Sequence, residues 1–250
     1  NTLELSQKYK DNSNVKISLG PHSPYTCNEE DLSKVASIAQ EYKLKIHTHV
    51  SETMEQVETS LREKGITPIE VLYKTGCLNH KTIFAHGLYI MEEDIQFINK
   101  NTTFALSPKT YLKLNMGFGN VLKYKDLLNI SIGTDGAASS NSLNPLEQVR
   151  LLGLMGKFIL GDATELPIET LWSYLMKGHE ILEFNSGKLE EGYSADLIIW
   201  DLNFPNTEIN NNILASIIYS SDSHNIESTI ISGKFLKEKG KIKMDITNSI

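Results

Sequence analysis

Five side chains that could do chemistry stand at the ends of short apolar runs: His22, His47, His49, His86 and Asp135. Imidazole nitrogen and carboxylate oxygen together are a ligand set that suits zinc or ferrous iron. A single histidine at a strand end is more often a hydrogen-bonded structural residue than a metal ligand. The recurrence of these types at successive strand ends therefore carries more weight than any one of them, and it predicts a metal site.

Proton transfer is the second kind of chemistry that the sequence indicates. Glu52 follows His49 by three residues, so its carboxylate can stand beside a metal as a proton carrier. His47 and His49 are two residues apart on a strand, which places both on one face. We assign His47 a packing or supporting role, and we assign no chemistry to His80, His179 or His224.

The elements that must position these residues alternate between short β-branched runs and longer amphipathic runs. This alternation is typical of βα units and a parallel sheet, either a barrel or a doubly wound sheet. In a barrel of this kind, polar residues at the carboxyl ends of the strands share one active-site mouth. The predicted strands are 15–20, 44–50, 82–86, 103–106 and 130–134, and the predicted helices are 30–42, 53–64, 92–99, 121–128, 145–160 and 168–182.

The character of the chain changes after Phe184. A turn-rich segment precedes a dense apolar strand at 195–200, and 229–235 reads as a hairpin around Ser232 and Gly233. We therefore predict two domains, an α/β domain at 1–184 and a small β module at 185–250.

Composition excludes several classes of partner. With 40% hydrophobic and 22% charged residues, the 250-residue chain is typical of a globular protein. The net charge of -7 comes from scattered acids and bases, with no run of Lys and Arg that could bind nucleic acid or an acidic membrane surface. No run of about 18 apolar residues could span a bilayer. Two cysteines are too few for a disulfide framework, and a cytoplasmic location fits.

Six motifs follow one another in an order and spacing that resemble a known family. They are Pro-His-Ser-Pro-Tyr at 21–25, His-Thr-His-Val-Ser-Glu-Thr at 47–53, Phe-Ala-His-Gly at 84–87, the segment 107–114, the segment 133–141 that begins Gly-Thr-Asp-Gly, and the glycine-containing stretch 187–197. The chain resembles the methylthioadenosine/S-adenosylhomocysteine deaminases and triazine chlorohydrolases of the amidohydrolase superfamily. The resemblance covers nearly the whole chain.

This resemblance implies a fold and an activity. The fold would be the second half of a (β/α)8 TIM-type barrel with part of a small C-terminal β-sandwich. The activity would be a hydrolysis in which water, activated by one divalent metal, replaces an amino or halide group on an N-heterocycle. Zinc is favoured, iron and manganese are compatible, and a homodimer is one assembly that the resemblance allows.

Roles for individual residues also come from the resemblance. His49 and Asp135 would be metal ligands, with His86 as a third candidate. Glu52 would shuttle protons, and Asp135 would accept the proton of the attacking water. His86 would contact or polarise the substrate and that water, and His22 would hold the small heterocyclic substrate.

Two departures from the family pattern accompany this resemblance. The family begins its barrel with a His-x-His pair, and nothing upstream of His22 matches it. We therefore expect the chain to begin about halfway through the barrel, to bind metal weakly by itself and to be inactive alone. The second departure is at Thr110 and Tyr111, where adenosine-type deaminases usually carry a Ser-Asn pair.

Several alternatives stay open on the sequence. Adenosine-like thioethers, guanine, cytosine and triazines all fit the resemblance as substrates, with the adenosine-like class favoured. The same metal site could serve a hydrolase of non-ring carbon–nitrogen bonds. A non-catalytic binding protein that keeps the barrel fold is the rival from another class.

Overall fold

The computed structural model describes residues 2–208 and 212–243. Its residues cluster into two compact units, one within 1–166 and the other within 167–250. The first unit contains all of the residues to which the sequence assigned chemistry, and the second contains an antiparallel sheet.

Five parallel strands form the sheet of the first unit, and they lie side by side in the order in which they occur in the chain. Each strand pairs in register with the next, so the carboxyl ends of all five lie along one edge of the sheet. The strands are β1 (Ser18–Leu19), β2 (Lys45–Val50), β3 (Thr82–His86), β4 (Thr102–Leu106) and β5 (Asn129–Ile132).

Helices connect these strands, as expected for parallel pairs, which need crossover connections. Short 3₁₀ helices occupy Glu92–Gln96 and Val121–Tyr124. The α-helices of this unit are α1 (Thr2–Lys8), α2 (Glu29–Tyr42), α3 (Met54–Lys64), α4 (Pro68–Lys74), α5 (Pro108–Lys113), α6 (Ala137–Ser140) and α7 (Pro145–Leu160).

Local sequence explains where these helices start and stop. The Asn28 side chain accepts a hydrogen bond from the amide of Asp31 and so caps α2. Thr53 and Gln56 form a reciprocal capping box at the start of α3, which ends on Gly65 in the left-handed conformation. This box fixes the start of α3 directly after Glu52.

The core of the first unit lies between the sheet and its helices. Phe84 of β3 and Phe104 of β4 are fully buried and meet edge to face, with ring centroids 5.2 Å apart. Leu32 of α2 and Ile46 of β2 are also fully buried. This packing holds the strand ends in fixed positions.

The second unit contains α8 (Ile168–Leu182), α9 (Ile213–Ala215) with a π-helical turn at Ser216–Ser220, and a four-stranded antiparallel sheet. Ser232 and Gly233 both have positive φ angles, as a tight two-residue hairpin requires. The strands are β6 (Leu197–Trp200), β7 (Ile226–Ile231), β8 (Lys234–Glu238) and β9 (Lys241–Ile242).

The predicted α/β class and parallel sheet are confirmed, and the antiparallel sheet supports the predicted β module in part. The helices predicted at 145–160 and 168–182 are present with those bounds. Those predicted at 92–99 and 121–128 are shorter 3₁₀ segments. The domain boundary after residue 184 stays a prediction. No helix within the described ranges combines the length and apolar character needed to cross a bilayer.

Candidate active site

Three histidines form a row across the carboxyl ends of the first three strands. His22 follows β1, His49 lies near the end of β2, and His86 is the last residue of β3. The rings of His22 and His49 stack with centroids 4.6 Å apart, and those of His49 and His86 lie 5.5 Å apart. The sheet therefore brings together side chains that are 64 residues apart in the chain.

A backbone carbonyl fixes the tautomer of His49. The Nδ1 atom of His49 lies 2.8 Å from the carbonyl oxygen of His22. Because a carbonyl can only accept a hydrogen bond, Nδ1 carries a proton, and in the neutral ring Nε2 is the nitrogen with a free lone pair. Metal-binding histidines commonly have this arrangement, in which the second ring nitrogen donates to a carbonyl.

His22 is oriented by two hydroxyl groups in the loop after β1. Its Nδ1 atom lies 3.0 Å from Ser23 Oγ and 3.1 Å from Thr26 Oγ1. These two hydroxyls also contact each other at 2.7 Å. A small hydrogen-bonded group therefore holds the ring of His22 at the rim of the strand ends.

His86 and Glu52 form a histidine–carboxylate pair. His86 Nε2 lies 3.7 Å from Glu52 Oε1, and Glu52 Oε2 accepts a hydrogen bond from the Tyr25 hydroxyl at 3.2 Å. Burial lowers the pKa of His86, while burial and the charge of Glu52 raise the pKa of Tyr25. His86 and the carboxyl group of Glu52 are therefore placed so that a proton can pass between them.

Asp135 follows β5 and has a φ angle of 57°, in the left-handed region. Burial opposes the ionisation of its carboxyl group, but hydrogen bonds outweigh burial and hold its pKa below the ordinary value. One such bond comes from the Gly136 amide at 2.8 Å. Asp135 therefore presents an anionic oxygen at this edge.

Left-handed backbone recurs at the strand ends. Ser51, His86 and Asp135 have φ angles of 46°, 72° and 57°. Such conformations are uncommon outside glycine and occur often at functional sites. Sharp turns therefore end β2, β3 and β5 where the candidate residues stand.

A cavity of about 530 Å³ opens at these strand ends. This volume is in the range of small-molecule sites. Glu52 adjoins the cavity through its contact with His86. The residues of the cavity wall include His22, His47, His49, His86, Ser107 and Asp135.

His49 and Asp135 fit a divalent metal by donor chemistry, since they offer an unprotonated imidazole nitrogen and an anionic oxygen. They are nevertheless an incomplete set. Among residues 2–208 and 212–243, no group of three or more His, Cys, Asp or Glu side chains is arranged to hold a metal ion. A closed coordination shell therefore requires further donors.

Two tyrosines at this site were missed by sequence reasoning. Tyr25 donates to Glu52, and the hydroxyl of Tyr111 lies 3.4 Å from His86 Nδ1. Tyr25 stands in one of the family-like motifs, and Tyr111 stands at a departure from the family pattern. These positions could have marked both tyrosines as candidates, but the sequence does not indicate which side chain each hydroxyl contacts.

Comparison with known proteins supports the family resemblance. The profile described as "Amidohydrolase family" matches residues 2–236. The 5-methylthioadenosine/S-adenosylhomocysteine deaminase of Dictyoglomus turgidum is 36% identical over 94% of this chain and 56% of its own length. The 5'-deoxyadenosine deaminase of Methanosphaera stadtmanae is 32% identical over 92% of this chain and 55% of its own length. The chain thus spans about half the length of these curated relatives.

Solved structures give a consistent result. An adenosine deaminase from Xanthomonas campestris with bound zinc matches 99% of this chain and 57% of its own length, with a TM-score of 0.92 and 27% identity. Atrazine chlorohydrolase from Arthrobacter aurescens, complexed with zinc, matches 97% of this chain and 56% of its own length, with a TM-score of 0.85 and 23% identity. The second match shows similarity of fold alone.

Proposed function

This chain belongs to the amidohydrolase family, and we propose that the polypeptide containing it hydrolytically removes an amino group from an adenosine-like N-heterocycle. One observation carries this proposal. His22, His49, His86 and Asp135 line one cavity on the carboxyl edge of the parallel sheet, and Glu52 adjoins it through His86. The deaminase names of the relatives support the substrate class.

The finer fold is part of the proposal. The five-stranded sheet is the second half of a (β/α)8 barrel, with its domain ending near residue 184, and 185–250 belong to a small β-sandwich. The extensive match to the zinc-bound adenosine deaminase supports this architecture. The sequential order of five parallel strands is also the order of a barrel.

His49 and Asp135 are the residues that would hold one divalent metal, for which zinc is the preferred ion. When bound, the metal would supply Lewis acidity that makes water a nucleophile near neutral pH. The zinc bound in the adenosine deaminase structure supports the choice of ion. The carbonyl of His22 contributes by keeping His49 in the tautomer that can bind it.

The remaining side chains handle the substrate and its protons. Asp135 accepts one proton of the attacking water, and Glu52 relays protons so that the ring nitrogen gains one of the two water protons and the amine leaves with the other as ammonia. His86 donates a hydrogen bond to polarise the substrate, and His22 holds the heterocycle at the rim. Tyr25 orients the Glu52 carboxylate through the 3.2 Å hydrogen bond.

The experiment that tests this function measures ammonia release from methylthioadenosine, adenosine and guanine, and chloride release from a chlorinated triazine. It uses the full natural polypeptide that contains this chain, loaded with zinc. We expect deamination of the adenosine-like substrates, loss of turnover with a chelator and recovery with zinc. Tight purine binding by zinc-loaded protein without turnover would instead favour the non-catalytic alternative.

A matched pair of variants tests the proton carrier. Glu52→Gln should lower turnover by about 10²–10⁴-fold, because it removes the acid–base group and preserves its shape. Glu55→Gln, at an exposed position in the first turn of α3, is the control and should retain turnover. Equal turnover of the two variants would contradict the role of Glu52.

A further inference from the structure

Tyr111 occupies a buried position beside His86. Its side chain on α5 is only 1% exposed. Its ring meets that of His86 edge to face at 5.6 Å and that of Phe118 edge to face at 5.5 Å. The phenol is therefore fixed on both sides, with its hydroxyl 3.4 Å from His86 Nδ1.

The partners of Tyr111 favour one direction for this hydroxyl contact. The backbone amide of Ser107 donates a hydrogen bond to the phenol oxygen at 2.7 Å. A phenol has a pKa near 10, so at neutral pH its oxygen also carries one proton to donate. The His86 Nδ1 atom faces that proton and can accept it only when Nδ1 is unprotonated.

We propose that Tyr111 is a positioning residue that holds His86 in the Nε2-protonated tautomer, opposite to the tautomer of His49. The role in turnover rests on the proposed function, whereas the tautomer itself does not. In this state the Nε2–H group of His86 points toward Glu52 Oε1, 3.7 Å away. His86 is then a hydrogen-bond donor to substrate, and it is excluded as a metal ligand through Nε2.

The hydrogen-bond partners of His49 and His86 thus favour opposite tautomers in the two rings. A carbonyl, which only accepts, forces the proton of His49 onto Nδ1. A phenol that already accepts from an amide gives its own proton to Nδ1 of His86. An asparagine, usual at this position in adenosine-type deaminases, can donate or accept and would leave the tautomer undetermined. The departure at Tyr111 therefore has a physical consequence.

The test is a long-range proton–nitrogen NMR correlation of the histidine side chains in the ¹⁵N-labelled full natural polypeptide without metal. We expect His86 to show a protonated Nε2 and an unprotonated Nδ1. Tyr111→Phe, which removes only the hydroxyl, should produce a mixture of the two tautomers. Tyr219→Phe is the matched control, because the buried Tyr219 hydroxyl has no hydrogen-bond partner in the described part of the chain, and it should leave His86 unchanged.

Kinetics provide the second measurement. Tyr111→Phe should lower kcat about five- to tenfold, the value of one hydrogen bond, with KM nearly unchanged. A wild-type spectrum in which His86 is protonated on Nδ1 would overturn the proposal, and this result does not depend on whether the variant folds. A folded Tyr111→Phe variant with the wild-type His86 spectrum would overturn it as well. The expected tautomers without turnover of any substrate would support the proposal and contradict the proposed function.

Discussion

The neighbouring strands β3 and β4 are nearly the same strand with different ends. Three of their five residues are identical, and both strands have the same pattern of burial. They pair in register, with Phe84 opposite Phe104, and the two rings meet edge to face. The bodies of both strands therefore serve the core in the same way.

The last residue of each strand makes the difference. His86 ends β3 with a positive φ and faces Glu52, while Leu106 ends β4 and is fully buried. The segment after β4 contributes Tyr111, which reaches back to His86. In this fold the body of a strand determines stability, and the residue at its carboxyl end determines chemistry.

The largest effect on turnover should come from replacing His86, the side chain that distinguishes the end of β3 from the end of β4. We expect His86→Gln to lower turnover by about 10²–10⁴-fold, since it removes the imidazole that polarises the substrate. Leu106→Met at the matching position of β4 is the control and should cost less than about 1.5 kcal/mol in stability, with turnover retained. Steady-state kinetics and urea unfolding measure both. Similar kinetic constants for the two variants would contradict the claim that the end of β3, unlike the end of β4, carries a side chain needed for turnover.

Truncation of the strand bodies should affect stability instead. Phe84→Ala and Phe104→Ala should each lower the free energy of unfolding by about 3–5 kcal/mol, because each leaves a large cavity in a fully buried core. Equilibrium unfolding in urea provides the measurement. If only one of the two variants had a lower free energy of unfolding, the two strands would not contribute equally to the core.

The turn after β3 offers a smaller test. Gly87 has a φ of 60°, and a Cβ atom placed there would lie 2.5 Å from the Phe104 ring. Gly87→Ala should therefore destabilise the protein by about 3 kcal/mol through backbone strain and overpacking. Gly178→Ala, in α8 with no atom within 4 Å, is the control and should stabilise slightly. Thermal unfolding that ranks the two variants in the reverse order would contradict this account of the turn.

The smallest expected effect is at a buried carboxyl in the connection between the two strands. Asp94 is fully buried and accepts hydrogen bonds from the Thr67 hydroxyl and from the Met91 amide at 2.8 Å. Burial raises the pKa of Asp94 to about 6. This group joins two helical segments, so it is an acid with a structural role.

The sign of its effect follows from the raised pKa. Between about pH 4 and pH 6, Asp94 keeps its proton in the folded protein and loses it in the unfolded chain, so stability falls as pH rises through this window. We expect a decline on the order of 2 kcal/mol that Asp94→Asn lacks. Urea unfolding across this pH range measures the difference between the two proteins. Parallel stability curves would show that Asp94 has an ordinary pKa.

Periodicity predicted the parts of the fold that repeat. The strand at 82–86 and the helices at 145–160 and 168–182 have the predicted bounds because each combines an apolar pattern with a clear boundary signal. β1 is shorter than predicted, with Ser18 and Leu19 as the residues that pair with β2. The short helix α5 was not predicted, although Pro108 stands at its first turn.

The candidate site divides in the same way. The positions of His22, His49, His86 and Asp135 at strand ends follow from the βα pattern. The contacts between Tyr25 and Glu52 and between Tyr111 and His86 span 27 and 25 residues. They depend on how the loop after β1 and the helix α5 pack against the strand ends. Such contacts require three-dimensional coordinates because no local periodicity records them.

The most direct test of the account compares zinc content and ammonia release in the wild-type full polypeptide, in His49→Ala and in His80→Ala. His80 lies in the turn before β3, away from the carboxyl edge, and serves as the control. We predict that His49→Ala loses bound zinc and adenosine-type deamination together, while His80→Ala keeps both. Full zinc content and wild-type ammonia release in His49→Ala would contradict the claim that the carboxyl ends of these strands form the hydrolytic site.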